Sequence, residues 1–210
     1  EKAGSGPHGD LNAHIIDLAR YLVGDIAEVV GMDETFIKER PIADEIDSAL
    51  GASAGGATRM GPVTVDDTTL FLSRFENGAV GSFEATRFAG GRRNGNRFEI
   101  NGSKGSIAFN LEKMNELQYY NRDDEPHIQG FREIMVGEGC HPYMDHWWPP
   151  GHTIGWEHTF VHEVYDLVQA IAGENKDLHP DFAEGVKDQA VLEAVSASVA
   201  NRSWVKVSEL

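Results

Sequence analysis

The chain has 210 residues, 18 Lys and Arg against 34 Asp and Glu, a formal net charge of −16 and 40% hydrophobic residues. Such a chain is long enough to bury a core and too apolar for wholesale disorder, and its acidity argues against nucleic acid or anionic membranes as partners, because phosphate recognition needs a basic face. The single cysteine, Cys140, cannot close an internal disulfide, and no apolar run approaches the ~20 residues of a membrane span, so a cytoplasmic location is expected.

Asp10 is a candidate N-cap for a first helix with an apolar stripe at Leu11, Ile15, Leu18 and Leu22, stopped by Gly24. Ile26 to Ile37 reads as a strand, and residues 41–62, rich in Gly, Ala and Pro, as a loop. Strands over 68–75 and 79–88 flank Glu76-Asn77-Gly78, a strong hairpin signal. Further strands are expected at 97–101, 106–109, 117–120 and 131–136. Helices follow over 157–172 and 182–201, then a short strand at 204–207. In the first of these helices Phe160, Val164, Leu167, Val168 and Ile171 fall at helical spacing. The fold class is therefore α+β: an open, predominantly antiparallel β-sheet with helices packed on one face. Phe71, Phe75, Phe83 and Phe88 cannot all reach one face of it, and an apolar outer face would mark a subunit interface.

Gly4-Ser-Gly-Pro-His-Gly9 matches the dinucleotide fingerprint Gly-x-Gly-x-x-Gly in letters only. Three residues precede it, too few for the required strand, and Pro7 has no N–H to offer a phosphate. Asp10 and His14 stand four residues apart on a polar face continued by Asp17 and Tyr21. An imidazole beside a carboxylate suits a general base; an N-cap and an ordinary helical ion pair would give the same spacing.

Residues 141–162 hold five of the nine His, interleaved with Trp147, Trp148 and Trp156. Three readings are open. His158 and His162 have a spacing compatible with a metal, although the sequence is not His-Glu-x-x-His. Trp148 and His152 could form a sugar-binding wall, with an indole face for the C–H side of a pyranose and an imidazole for its hydroxyls. Alternatively, the rings simply pack a long loop. Arg87, Arg92, Arg93, Arg97 and Lys104 reverse the sign of charge locally. They read best as a solvated hairpin end, with Arg87 a candidate for the substrate site.

The segment Gly9-Asp-Leu-Asn-Ala-His-Ile-Ile-Asp-Leu-Ala-Arg-Tyr-Leu-Val-Gly24 resembles the first helix of the C-terminal domain of the Gfo/Idh/MocA oxidoreductases, which carries a Gly-Asp-x-x-x-His type of motif. Similarity continues through Phe98–Phe109, Trp147-Trp-Pro-Pro-Gly-His152 and His179-Pro-Asp-Phe-Ala-Glu-Gly185. The resemblance implies oxidation of a hydroxyl of a sugar, glucoside or polyol by NAD or NADP. His14 would be the base, Asp10 would position substrate or His, and Trp148, His152 and Arg87 would contact substrate. It also implies a homo-oligomer, dimer or tetramer, built through the sheet. The family's N-terminal Rossmann domain has no counterpart in the chain. Residues 1–210 are therefore expected to be one substrate-binding and oligomerisation domain of a longer enzyme, inactive alone and binding no dinucleotide tightly. The alternatives are a non-catalytic carbohydrate-binding or assembly module and a metal-dependent hydrolase built on residues 141–162.

Overall fold

The computed structural model describes residues 4–42, 59–174 and 179–207. In chain order these form a π-helical turn (His8–Asn12), α1 (Ala13–Val23), β1 (Ile26–Glu34), β2 (Glu39–Pro41), β3 (Met60–Pro62), β4 (Thr68–Phe75) and β5 (Val80–Thr86). Then come β6 (Arg97–Asn101), β7 (Gly105–Asn110), β8 (Glu116–Asn121), β9 (Arg132–Met135), α2 (Trp156–Ile171), α3 (Phe182–Asn201) and β10 (Val205–Lys206). The chain divides into two compact units, residues 1–90 with 180–210, and residues 91–179.

The first unit is a four-stranded antiparallel sheet in the order β10-β1-β4-β5. Strand β4 alternates strictly: Thr69, Phe71, Ser73 and Phe75 are buried, whereas Leu70, Leu72 and Arg74 are exposed. Phe71 stacks on Phe83 of β5 with ring centroids 4.4 Å apart. These rings, with Ile26 and Val29, meet Ile16 of α1 and Val191, Leu192, Ala194 and Val195 of α3. Three of the four Phe thus share the helix side. Phe88 does not, and packs edge-on against Phe36 at 4.9 Å. The hairpin tip is Asn77-Gly78, with Gly78 at φ +88°, a conformation that favours glycine. Asn77 also reaches back to α1, donating its Nδ2 to the Val23 carbonyl at 2.7 Å.

The sequence expectations need correcting in three places. Asp10 caps nothing: the chain is already helical before it, as a π-helical turn that runs into α1 without a side-chain cap. The buried side of this helix is not the leucine stripe but His8, Asn12, Ile16 and Arg20, at successive intervals of four, while Leu22 is exposed. Within 41–62, residues 43–58 lie outside the described residues, but Pro41 and Met60–Pro62 belong to an antiparallel ribbon of β2 with β3 rather than a loop.

Arg20 explains how a helix with a polar inner side can pack. Its side chain is only 5% exposed, and its guanidinium meets Asp25 (2.8 Å), Glu184 (2.6 Å) and Asp188 (2.6 Å), with a further bond to the Glu184 carbonyl at 3.2 Å. Burial alone would lower its pKa, but hydrogen bonds to Asp188, Asp25 and Glu184 outweigh that and raise it. Burial pushes Asp188 upward, against the pull of Arg20. Asp181 begins α3, its Oδ1 accepting from the N–H groups of Ala183 (2.8 Å) and Glu184 (3.0 Å).

The second unit is a meander, β6-β7-β8-β9, antiparallel throughout, followed by α2. Here the helical apolar stripe is not buried: Phe160, Val164, Leu167, Val168 and Ile171 are all exposed. No helix among the described residues is long and apolar enough to cross a membrane.

Arg20→Met should destabilise the first unit by about 3 kcal/mol in urea titrations, because it strands acids gathered around one buried cation. Arg20→Lys should recover little of that, since one ammonium cannot reproduce a fork that serves three carboxylates.

Candidate functional site

Asp10 and His14 both lie on the exposed side of the first helical segment, opposite the buried His8–Asn12–Ile16–Arg20 side. Arg87, just beyond β5, closes on Asp10 in a direct ion pair from Nη2 to Oδ2. Asp10, His14 and Arg87 are thus gathered in one region of the first unit. The residue that Asp10 binds is Arg87. Both members of the pair are about half exposed, 55% and 56%, so the pair borders solvent.

Beneath this surface His8 is buried. Its Nε2 bonds the Leu192 carbonyl of α3 at 2.9 Å, and a carbonyl only accepts, so Nε2 carries the hydrogen. Nδ1 then accepts from Asn12 Nδ2 at 3.1 Å, which leaves the buried Asn12 Oδ1 without a partner among the described residues. Sequence reading passed over His8, Asn12 and Arg20. Their spacing of four was a detectable signal, but polar residues at that spacing read as a solvent face.

The Gly4–Gly9 segment does not form a phosphate cradle. The N–H groups of Gly6 and His8 donate to the two carboxylate oxygens of Asp66, at 2.9 and 2.8 Å. A protein anion already takes the donors that a pyrophosphate would need.

In the second unit the His-rich segment separates into an inner and an outer group. The inner group is knitted by internal bonds. Trp147 Nε1 donates to His162 Nε2 (2.7 Å), Tyr143 stacks on His162 (4.4 Å) and donates its hydroxyl to Asp166 (2.6 Å), and the Gly155 N–H donates to His158 Nδ1 (3.1 Å). His162 is held below its usual pKa, first by burial and then by the neighbouring His158. His158 and His162 therefore serve loop packing and helix capping. Among the described residues no three His, Cys, Asp or Glu side chains gather as a metal site.

The outer group is Trp148 and His152. Trp148 is 73% exposed, its ring 5.9 Å from that of His152, whose Nδ1 donates to the Pro149 carbonyl at 2.8 Å. This bond pins the imidazole and leaves its Nε2 as an acceptor when the ring is neutral. The basic turn divides as well: Arg92 pairs with Glu112 (3.1 Å), which also accepts from the N–H groups of Arg93 and Asn94. Glu112 is held below its usual range, chiefly by the Arg93 N–H and then by Arg92.

A profile of the GFO/IDH/MocA C-terminal domain matches residues 1–108. Levoglucosan dehydrogenase of Pseudarthrobacter phenanthrenivorans is 44% identical over 209 residues, 99% of this chain and 53% of that protein. Among solved structures, an oxidoreductase domain protein from Kribbella flavida superposes with a TM-score of 0.88 at 54% identity, covering 99% of this chain and 53% of that one. A levoglucosan dehydrogenase in complex with NADH and levoglucosan superposes with a TM-score of 0.86 at 42% identity, covering 99% and 52%. The chain spans about half the length of these relatives.

His162 yields a pH prediction. A histidine whose folded pKa lies below its unfolded value of 6.5 gives stability that is full above that pH and declines as pH falls below it. NMR should place the ring titration of His162 below 6.5. The thermal stability of His162→Phe, which keeps the stacked ring, should fall less steeply with acid than that of the wild type.

Proposed function

The chain belongs to the GFO/IDH/MocA family, as its C-terminal domain, and from that premise we propose that it is the substrate-binding half of an NAD(P)-dependent dehydrogenase oxidising a hydroxyl of a sugar or anhydrosugar. The observation that carries this reading is the closure of Arg87 on Asp10 at the start of the helix that bears His14. Solved structures of relatives of 42% identity hold NADH with levoglucosan or L-sorbose, which supports a small carbohydrate and an NAD-type cofactor.

In this scheme the carbinol hydroxyl meets the His14 imidazole, which removes its proton as the hydride departs from the same carbon for the nicotinamide. Arg87 fixes the carboxylate of Asp10, which then receives or orients a sugar hydroxyl. Within the second unit, Trp148 offers an exposed indole face of the kind that packs on the C–H side of a sugar, and His152 a fixed acceptor. No step is assigned to dinucleotide binding by residues of this chain, because the Gly4–Gly9 donors are spent on Asp66.

We further propose that residues 1–210 act as one module of a cytoplasmic enzyme, and that it self-associates through the outer face of the first sheet. That face exposes Met32, Leu70, Leu72 and Val80, a patch of the kind that marks an interface.

The deciding experiment is an oxidation screen of the full-length protein over sugars, anhydrosugars and polyols with NAD and with NADP. His14→Ala should lower kcat by roughly 10²-fold, the usual scale for a lost general base, and a near-native rate would remove His14 from the role. A protein that binds sugar but reduces neither cofactor would be a carbohydrate-binding module. In sedimentation, Leu72→Glu should shift the protein to a smaller species.

A further inference from the structure

We propose that Asp66 is a positioning residue for the Asp10–Arg87 pair, acting through the backbone that leads into Asp10; the inference rests on the functional reading above. Its Oδ1 accepts from Gly6 N (2.9 Å), and its Oδ2 accepts from His8 N (2.8 Å) and from the Thr69 hydroxyl (2.8 Å). The carboxylate therefore grips the segment that runs directly into Asp10, and Thr69 on β4, 1% exposed, holds the carboxylate to the sheet.

The approach is close enough to demand glycine. A Cβ on Gly6 would overlap the Asp66 carbonyl oxygen, and one on Gly9 would overlap the Ser5 hydroxyl. Pro7, fully buried between them, further limits how the segment can move. His8 then ties the same turn to α3 through the Leu192 carbonyl.

The neighbouring Asp67 serves the other partner. Its carbonyl accepts the Arg87 backbone N–H at 3.1 Å. Its carboxylate, held below its usual range chiefly by the Ile37 N–H, is itself tied to Ile37 (2.9 Å) and Arg40 (3.0 Å). Two consecutive residues just before β4 thus set the backbone on which Asp10 is presented and the backbone from which Arg87 extends. An ion pair at the solvent border contributes little stability alone, so its geometry depends on what holds each end. A displacement of about 1 Å there can cost on the order of 10²-fold in rate.

The test uses Asp66→Asn in the intact protein. The amide keeps one acceptor oxygen and turns an N–H donor toward a backbone N–H. Hydrogen exchange of residues 4–12 should quicken by about tenfold, while β4 and α3 exchange as in the wild type. In turnover, kcat should fall by about tenfold with the KM for the nicotinamide cofactor unchanged. A merely structural role would change melting temperature and leave kcat of the folded enzyme alone. Gly6→Ala attacks the same contact from the other side and must give the same pattern, which keeps the test decisive if Asp66→Asn fails to fold. Native exchange over 4–12, or fast exchange with native kcat, overturns the proposal. If the wild type oxidises no sugar, the functional reading fails separately, and exchange alone decides whether Asp66 holds the turn.

Discussion

A buried guanidinium governs the first unit. Arg20 occupies the place on α1 where an aliphatic residue would be expected, and three carboxylates from the α1–β1 turn and from α3 converge on it. Desolvating such a charge costs several kcal/mol unless its donors are satisfied, and here every guanidinium nitrogen has an acceptor. The fork fixes the rotation of α1 against α3, because Glu184 and Asp188 lie one turn apart on the same helix. Rotation in turn decides which side of the helix meets solvent. Asp10 and His14 are outward because His8, Asn12, Ile16 and Arg20 are inward.

The same logic runs through the turn before α1. The buried side there is polar, and it is satisfied by fixed acceptors: the Leu192 carbonyl for His8 and the Asp66 carboxylate for two backbone N–H groups. Polar contacts of this kind specify one arrangement, where apolar packing tolerates several. The orphaned Asn12 Oδ1 is the cost of that arrangement. A helix that presents Asp10 and His14 side by side at a surface is well served by directional anchors underneath.

The second unit sorts its aromatic residues by a different rule. Rings with a nearby partner, Trp147, Tyr143 and His162, turn inward and bind one another. Trp148 follows Trp147 directly in sequence and faces out. Neighbouring residues in an extended segment point in opposite directions, so one Trp supports the loop and the next is left exposed. His141 shows the same economy, its Nδ1 accepting from the Gly137 N–H at 3.1 Å.

The sequence alone determined the order of the elements apart from the β2–β3 ribbon, the α+β class, the hairpin at Asn77-Gly78 and the family, because these depend on periodicity, turn chemistry and contiguous motifs. It also identified Asp10, His14 and Arg87 as candidates, on spacing and resemblance. It could not disclose that Asp10 binds Arg87, which lies 77 residues away, because no local pattern encodes a contact made by folding. It misread the inner side of α1 for a related reason. Hydrophobic periodicity assumes that polar residues seek water, whereas His8, Asn12 and Arg20 find acceptors on α3 and within their own turn. The apolar stripe of α2 is plain in the sequence, yet it is exposed. Periodicity shows which residues prefer burial; only the tertiary structure decides which of them obtain a partner.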